Sequence, residues 1–286
     1  MKVELCSCGS GLPYENCHKN AEELIKKYKA QRQQTPTLKM IKNPVQIEGI
    51  REAGRINSLV LDAVSKMIRE GITTEDINRV VDSETRKLGG IPAPLNYEGF
   101  PKSVCVSINS QVCHGIPDNH TYLKKGDIVN VDCTTIVNGY FGDASRMFTI
   151  GEITPQADRL IKVTRESIAL AISKIGPGAH LGDIGFYINR LAVKNGFSVV
   201  REVGGHGVGL AMHEDPFVAH VGDLGRGMVL LPGMVFTIEP MINAGKRGVF
   251  VDAANGWTIY TADGSLSAQE ESTVLITETG VEILSK

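Results

Sequence analysis

Two carboxylates stand where apolar strands should end. Asp132 closes the run Gly126-Asp-Ile-Val-Asn-Val-Asp132 and Glu239 closes Gly233-Met-Val-Phe-Thr-Ile-Glu239, each six residues after a glycine. A charge at the end of a strand-like run is costly to bury, and carboxylates brought together require a cation or a shared proton. Asn138-Gly139 is a strong signal for a two-residue hairpin loop. With that loop Asp143 lies opposite Thr134, which shares its face with Asp132, so the two aspartates become diagonal neighbours. Further along, Ser267-Ala-Gln-Glu-Glu-Ser-Thr-Val-Leu-Ile276 offers Glu270 and Glu271, and alternation lets only one of them face the site. The segment Gly205-His206-Gly-Val-Gly-Leu-Ala-Met-His213 carries two imidazoles at a separation of seven, an odd number that a regular strand cannot aim at one face. One is expected to be a ligand and the other a proton donor. An aspartate near a hairpin is ordinarily solvated and Gly-His-Gly is often a turn, so it is the joint occurrence that points to a site. Carboxylates with one imidazole form an oxygen-rich set suited to two divalent ions such as Mn, Fe(II), Co or Zn. Two such ions sharing carboxylates activate water and polarise a carbonyl, as in many hydrolases.

The elements that position these groups repeat. The offset of 107 residues between Asp132 and Glu239 recurs in Gly71/Gly178, Asp76/Asp183, Ile77/Ile184, Lys87/Lys194 and Gly89/Gly196. This predicts a duplicated α+β unit whose halves face each other across a pseudo-two-fold, with the acidic strand ends together. Val45, Ile47, Ile50, Ile56, Leu59, Val60, Val64, Met67 and Ile68 follow a helical period from Pro44 to Gly71. Thr73-Thr74-Glu75-Asp76 starts a second helix that runs to Leu88 and closes at Gly89-Gly90; the pair is expected again at about 155–175 and 182–195. Strands are expected at about 103–109, 127–149, 198–210, 234–242 and 270–284.

With 286 residues and 42% hydrophobic content the chain can bury a substantial core. Thirty basic against 32 acidic residues give a formal charge of −2, which argues against a sequence-specific nucleic-acid partner or a cationic membrane-surface helix. The sequence has neither an apolar span nor a signal-type h-region, so the cytoplasm is the expected compartment, and a monomer with reduced thiols the expected state. At the start, Cys6-Ser-Cys8-Gly-Ser-Gly-Leu-Pro-Tyr-Glu-Asn-Cys17-His18 supplies three thiols and an imidazole, the ligand set of a structural zinc site. About twenty residues cannot fold on a hydrophobic core, so a metal is the plausible organiser. The pattern resembles the SEC-C motif, a zinc-binding appendage, and implies docking to a partner such as the ribosome. Residues 1–20 are expected as this module, 21–39 as a Lys-rich linker, and 40–286 as the catalytic domain.

In the body, the chain resembles the type I methionine aminopeptidases of the pita-bread fold from about residue 40 to 284. The resemblance is carried by Val112-Cys-His114-Gly-Ile-Pro117, Val129-Asn-Val-Asp132, Gly142-Asp143, Gly205-His206-Gly-Val-Gly, His213-Glu-Asp-Pro216, Phe236-Thr-Ile-Glu239-Pro240 and Ser267-Ala-Gln-x-Glu271. It implies that Asp132, Asp143, His206, Glu239 and Glu271 hold two divalent ions, and that His114 and His213 contact substrate. The same resemblance implies that Glu239 doubles as acid/base in removing the initiator Met from peptides and nascent chains. Tyr97, Phe100, Cys105 and Trp257, the only tryptophan, would form a pocket for an unbranched thioether. The chain departs from the family pattern at Glu98, Met212, Glu270 and Ser272, the last two bearing on the surroundings of Glu271. The competing readings are a proline-specific peptidase of the same fold and a pita-bread binding module without activity.

Overall fold

The repeat at offset 107 is realised turn by turn in the computed structural model, which describes residues 4–286. Thr73 caps helix α3 (Thr74–Lys87): its hydroxyl accepts from Asp76 N at 3.1 Å and Asp76 Oδ2 accepts from Thr73 N at 2.9 Å. Helix α5 (Leu181–Lys194) starts and ends 107 residues later, with Asp183 Oδ2 accepting from His180 N at 2.8 Å. Both end at a glycine in the left-handed region, Gly89 at φ 81 and Gly196 at φ 79, where a side chain would be strained. The matching bonds Gly71 N to Leu123 O and Gly178 N to Leu230 O complete the equivalence. Each of these helices follows a longer one, α2 (Pro44–Met67) capped by Asn43 and α4 (Pro155–Lys174) capped by Thr154.

The helices sit outside and the strand faces that carry the acidic residues look inward. In the first half, strands Ile128–Val137 and Tyr140–Thr149 form the expected hairpin, and Thr134 pairs with Asp143 as the two-residue loop requires. Val129, Val131 and Cys133 turn outward onto Val60, Leu61 and Val64 of α2 and Ile77 and Val81 of α3. Period-two alternation therefore turns Asn130, Asp132 and Thr134 inward. In the second half Phe236, Ile238, Val274 and Ile276 share a core with Leu160 and Ile168 of α4 and Ile184 and Ile188 of α5. That sheet runs in the order Val281–Ser285, Ser272–Ile276, Val235–Ile238, Gly205–Gly207, Glu214–Val218. Asn130 Nδ2 donates to Gln269 O at 2.7 Å, joining the inner faces of the two halves.

Several parts differ from the sequence expectation, among them the strand Glu214–Val218, which lies beyond the expected 198–210. A hairpin of Val249–Val251 and Ile259–Thr261, which pairs with Gln111–Cys113, lies outside every expected strand because its segments are only three residues each. At the N-terminus, α1 (Lys19–Ala30) runs across the expected boundary at residue 20. Its Ala21 and Ile25 are buried in the second-half core and Leu24 and Tyr28 pack against it, so the 21–39 segment is docked along its helix rather than free.

The hairpin and α2 approach backbone to backbone at Gly142, where an added Cβ would lie 2.3 Å from Gly54 N. Gly142→Ala is expected to lower stability by about 1–3 kcal/mol, the usual range for overpacking. Gly248→Ala, whose Cβ would meet only the Ala262 methyl at 3.6 Å, should change it little. Urea midpoints of the two variants check this; equal midpoints would show that the helix and hairpin can slide apart freely.

Candidate metal centre

Four carboxyl groups converge on the inner faces. Asp143 Oδ1 accepts from Thr134 Oγ1 at 2.9 Å, Glu239 Oε1 from Thr237 Oγ1 at 2.7 Å, and Glu239 Oε2 from Gln269 Nε2 at 3.1 Å. The Asp132 and Glu271 carboxyls lie close enough to shift each other's ionisation. Alternation decides between the adjacent glutamates: Glu271 turns into the cleft, while Glu270 turns away to Arg165 and to Met147 N. Ligand atoms of Asp143, His206 and Glu271 all lie within 4.8 Å of one another. His206 Nε2 is 3.4 Å from Glu239 Oε1 and 3.9 Å from Asp143 Oδ2.

These groups lack a countercharge. Burial and then the neighbouring carboxylates push Asp143, Glu239 and Glu271 well above the usual range, and burial takes Asp132 up to about 7. Among the described residues no lysine or arginine pairs with any of them, and Glu271 Oε1 is buried without a hydrogen-bond partner. The donors present are neutral hydroxyls and an amide, which orient oxygens without cancelling their charge. A set of buried oxygens with an orphaned acceptor fits divalent cations.

The histidines divide as their odd spacing requires. His206 stands on the short strand Gly205–Gly207, and its Nδ1 lies 3.0 Å from Gly207 O. A carbonyl only accepts, so Nδ1 carries the proton and Nε2 offers a lone pair toward the carboxylates. Burial and the nearby His213 hold its pKa down to about 4. His213 lies beyond the strand on an exposed loop, with its ring 4.4 Å from that of His206 and its Nδ1 2.9 Å from Tyr97 OH. His114 has φ 57, a strained backbone for a residue with a side chain, and burial followed by His213 lowers its pKa to about 4.

The four carboxyl groups and the three histidines line one cleft of about 420 Å³. Its apolar end holds Tyr97, Phe100, Cys105 and Trp257, with Phe100 edge-on to Trp257 at 5.2 Å and His114 edge-on at 6.1 Å. Met212 and Met241 add two thioethers that sequence reasoning did not assign to the pocket. It also missed Thr134, Thr237 and Gln269 as holders of the carboxylates, although each lies within a quoted motif or opposite one. His220, whose Nε2 accepts from Glu239 N at 3.1 Å, gave no signal.

Cys6, Cys8, Cys17 and His18 form a second group, their ligand atoms also within 4.8 Å of one another. His18 Nδ1 lies 3.2 Å from Cys6 Sγ and 3.4 Å from Cys17 Sγ. Its Nε2 lies 3.1 Å from Ile41 O, which fixes the proton there and leaves Nδ1 as the donor atom to a metal.

The chain matches the model for Metallopeptidase family M24 over residues 48–278. Methionine aminopeptidase A from Synechocystis sp. is 50% identical over 240 residues, which are 84% of this chain and 94% of that protein. Methionine aminopeptidase from Escherichia coli (strain K12) is 46% identical over 245 residues, 85% of this chain and 92% of that one. The crystal structure of methionine aminopeptidase from Rickettsia prowazekii superposes with a TM-score of 0.84 at 43% identity, covering 86% of this chain and 99% of that chain. The chain belongs to metallopeptidase family M24, among its methionine aminopeptidases, and has the duplicated pita-bread fold.

Metal affinity should follow the contacts described. Asp143→Ala is expected to abolish divalent-metal binding, and Thr237→Val, which frees Glu239 to rotate, to weaken it about 10- to 100-fold. His213→Ala should leave it unchanged. Calorimetric titration of Mn(II) into metal-stripped protein separates the three, and tight binding by Asp143→Ala would remove that residue from the ligand set.

Proposed function

We propose that this chain removes the initiator methionine from nascent proteins and peptides of the Met-Ala and Met-Gly type, with two divalent ions, Co, Mn, Fe(II) or Zn, held by Asp132, Asp143, His206, Glu239 and Glu271. The observation that carries this reading is the polarity of one cleft: uncompensated carboxylates at one end and a small aromatic and sulfur-lined end at the other. Bound ions would supply Lewis acidity, making a water acidic enough to attack at neutral pH and polarising the scissile carbonyl. The rest is done by side chains. Tyr97, Phe100, Cys105 and Trp257 enclose the unbranched thioether, so that only a terminal residue of that shape reaches the carboxylates. Glu239, aimed by Thr237 and Gln269, takes a proton from the attacking water and passes one to the leaving amine. Neutral His114 contacts the substrate backbone, and His213, held through Nδ1 on Tyr97, turns Nε2 toward the reacting amide.

The N-terminal group supports one structural zinc on Cys6, Cys8, Cys17 and His18. In this reading residues 1–20 form a docking module that brings the enzyme to the ribosome, 21–39 tie it down, and 40–286 carry out the hydrolysis. The enzyme works as a cytoplasmic monomer; no described helix is long and apolar enough to cross a membrane.

Metal-stripped protein reloaded with each ion is expected to release Met from Met-Ala-Ser and to leave N-acetyl-Met-Ala-Ser intact. Preference for Xaa-Pro peptides, or equal cleavage of the acetylated one, would sink the assignment. His213→Ala should lower kcat by roughly two orders of magnitude or more, the range for a group acting in the transition state. A wild-type rate in that variant would strip His213 of its role.

A further inference from the structure

Residues 41–43 lie between the N-terminal cysteine group and the loop that carries His213. Lys42 is 4% exposed and its ammonium forms an ion pair with Glu214. The other oxygen of Glu214 accepts from Leu210 N at 2.6 Å and from Ala211 N at 3.1 Å, so this one carboxylate closes the loop in which His213 is its neighbour. Leu210, Ala211 and His213 are all exposed, so little packing holds that loop. The backbone of the same segment reaches the other side of the site: Lys42 N donates to Gly233 O at 2.8 Å and Ile41 bridges Met234, just before the strand that ends at Glu239.

The residues on both sides of Lys42 are gripped by the cysteine group. His18 Nε2 donates to Ile41 O at 3.1 Å, and Asn43 Nδ2 donates to Cys8 Sγ at 3.7 Å. Asn43 is also the cap of α2, its side chain accepting from Gln46 N at 3.0 Å. Among the described residues before Ala21 the only buried apolar side chain is Cys6, which is no core with which to keep His18 and Cys8 in place. A buried ion pair contributes little to stability over an apolar substitute of the same shape; its best-attested use is registry.

We propose that Lys42 is a positioning residue for His213 and that metal bound by Cys6, Cys8, Cys17 and His18 holds Lys42 there, so that occupancy of the N-terminal site sets turnover at the catalytic cleft. This rests on the structural-zinc reading given above. The module then acts on the reaction as well as on placement. With the cluster empty, the Ile41–Asn43 segment loses two of its anchors, Lys42 no longer fixes Glu214, and the 210–214 loop carries His213 off its bond to Tyr97.

The test compares wild type, Lys42→Met, Lys42→Arg, Cys6→Ser with Cys17→Ser, and the combination with Lys42→Met, each with its catalytic site loaded with Mn(II). Metal content, kcat and KM on Met-Ala-Ser, and hydrogen–deuterium exchange at Leu210 and Ala211 are measured together. Lys42→Met and the cysteine variant are expected to speed exchange at those two amides and to lower kcat about 10- to 100-fold, with KM and catalytic metal unchanged. Lys42→Arg should recover part of the loss, and the combined variant should be no worse than Lys42→Met alone, as befits sites acting through one contact. If the cysteine variant does not fold, His18→Ala, which removes one ligand and the bond to Ile41, takes its place with the same expectation. A variant that has lost its zinc yet keeps wild-type exchange and kcat overturns the coupling. So does a wild-type protein that holds no metal at the cluster, which metal analysis reports before any turnover is measured. Failure of wild type to release Met would instead overturn the function reading, and the exchange data would still decide the coupling.

Discussion

Four carboxyl groups in one cleft repel one another, and the architecture around them is arranged to hold them there regardless. At an effective dielectric of about 20, two unit charges about 4 Å apart repel by about 4 kcal/mol. Several such pairs would consume a typical folding stability of about 5–15 kcal/mol, so the groups cannot all ionise without cations. The surroundings do not supply any. Thr134, Thr237 and Gln269 donate neutral hydrogen bonds, and Glu270, the adjacent carboxylate that does meet an arginine, points away from the cleft. A lysine or arginine in those positions would have stabilised the fold and neutralised the charge that attracts divalent ions.

Duplication accounts for only part of this site. Asp132 and Glu239 are equivalent under the repeat, each on the inner face of a strand whose outer face is packed under helices. Their partners arrive by different routes. Asp143 returns through the tight Asn138-Gly139 loop, whereas the chain leaves Glu239 on a long excursion before Glu271 comes back beside it. That excursion holds the Val249–Val251 and Ile259–Thr261 hairpin, which pairs with the strand leading to His114 and carries Trp257 toward Phe100. The symmetric halves contribute Asp132 and Glu239, and the asymmetric excursion adds Trp257 to the wall that Tyr97, Phe100 and Cys105 begin.

What was legible in the sequence follows the same division. Helix ends marked by Thr73, Gly89 and Gly196, and a hairpin register set by two turn residues, depend on neighbours within a few positions, and these were readable from spacing alone. The inward face of Asp132 and Asp143 followed from that register. The pairing of Ile259–Thr261 with Gln111–Cys113 did not, because two three-residue segments so far apart in the chain carry no shared pattern. Lys42 with Glu214 was invisible for another reason: a lone lysine before a helix reads as a solvated charge, and nothing in spacing says that a carboxylate 172 positions away will meet it. Alternation said only that one of Glu270 and Glu271 could face the site; the family resemblance named Glu271, and in the structure Glu270 turns away to Arg165.

His206 and His213 come from one short segment yet are held by opposite means, and this separates their work. His206 is braced by its own strand and the Gly207 carbonyl, so its Nε2 is fixed to within the tolerance a metal ligand requires. His213 stands on an exposed loop fastened at its side chain to Tyr97 and at its base to Glu214. In the proposed reaction, a group that turns Nε2 toward the reacting amide gains from a tether that sets its direction but leaves some travel, and a ligand does not. The odd spacing that kept both imidazoles off one strand face is the local device that gives one residue the rigid support and its neighbour the loose one.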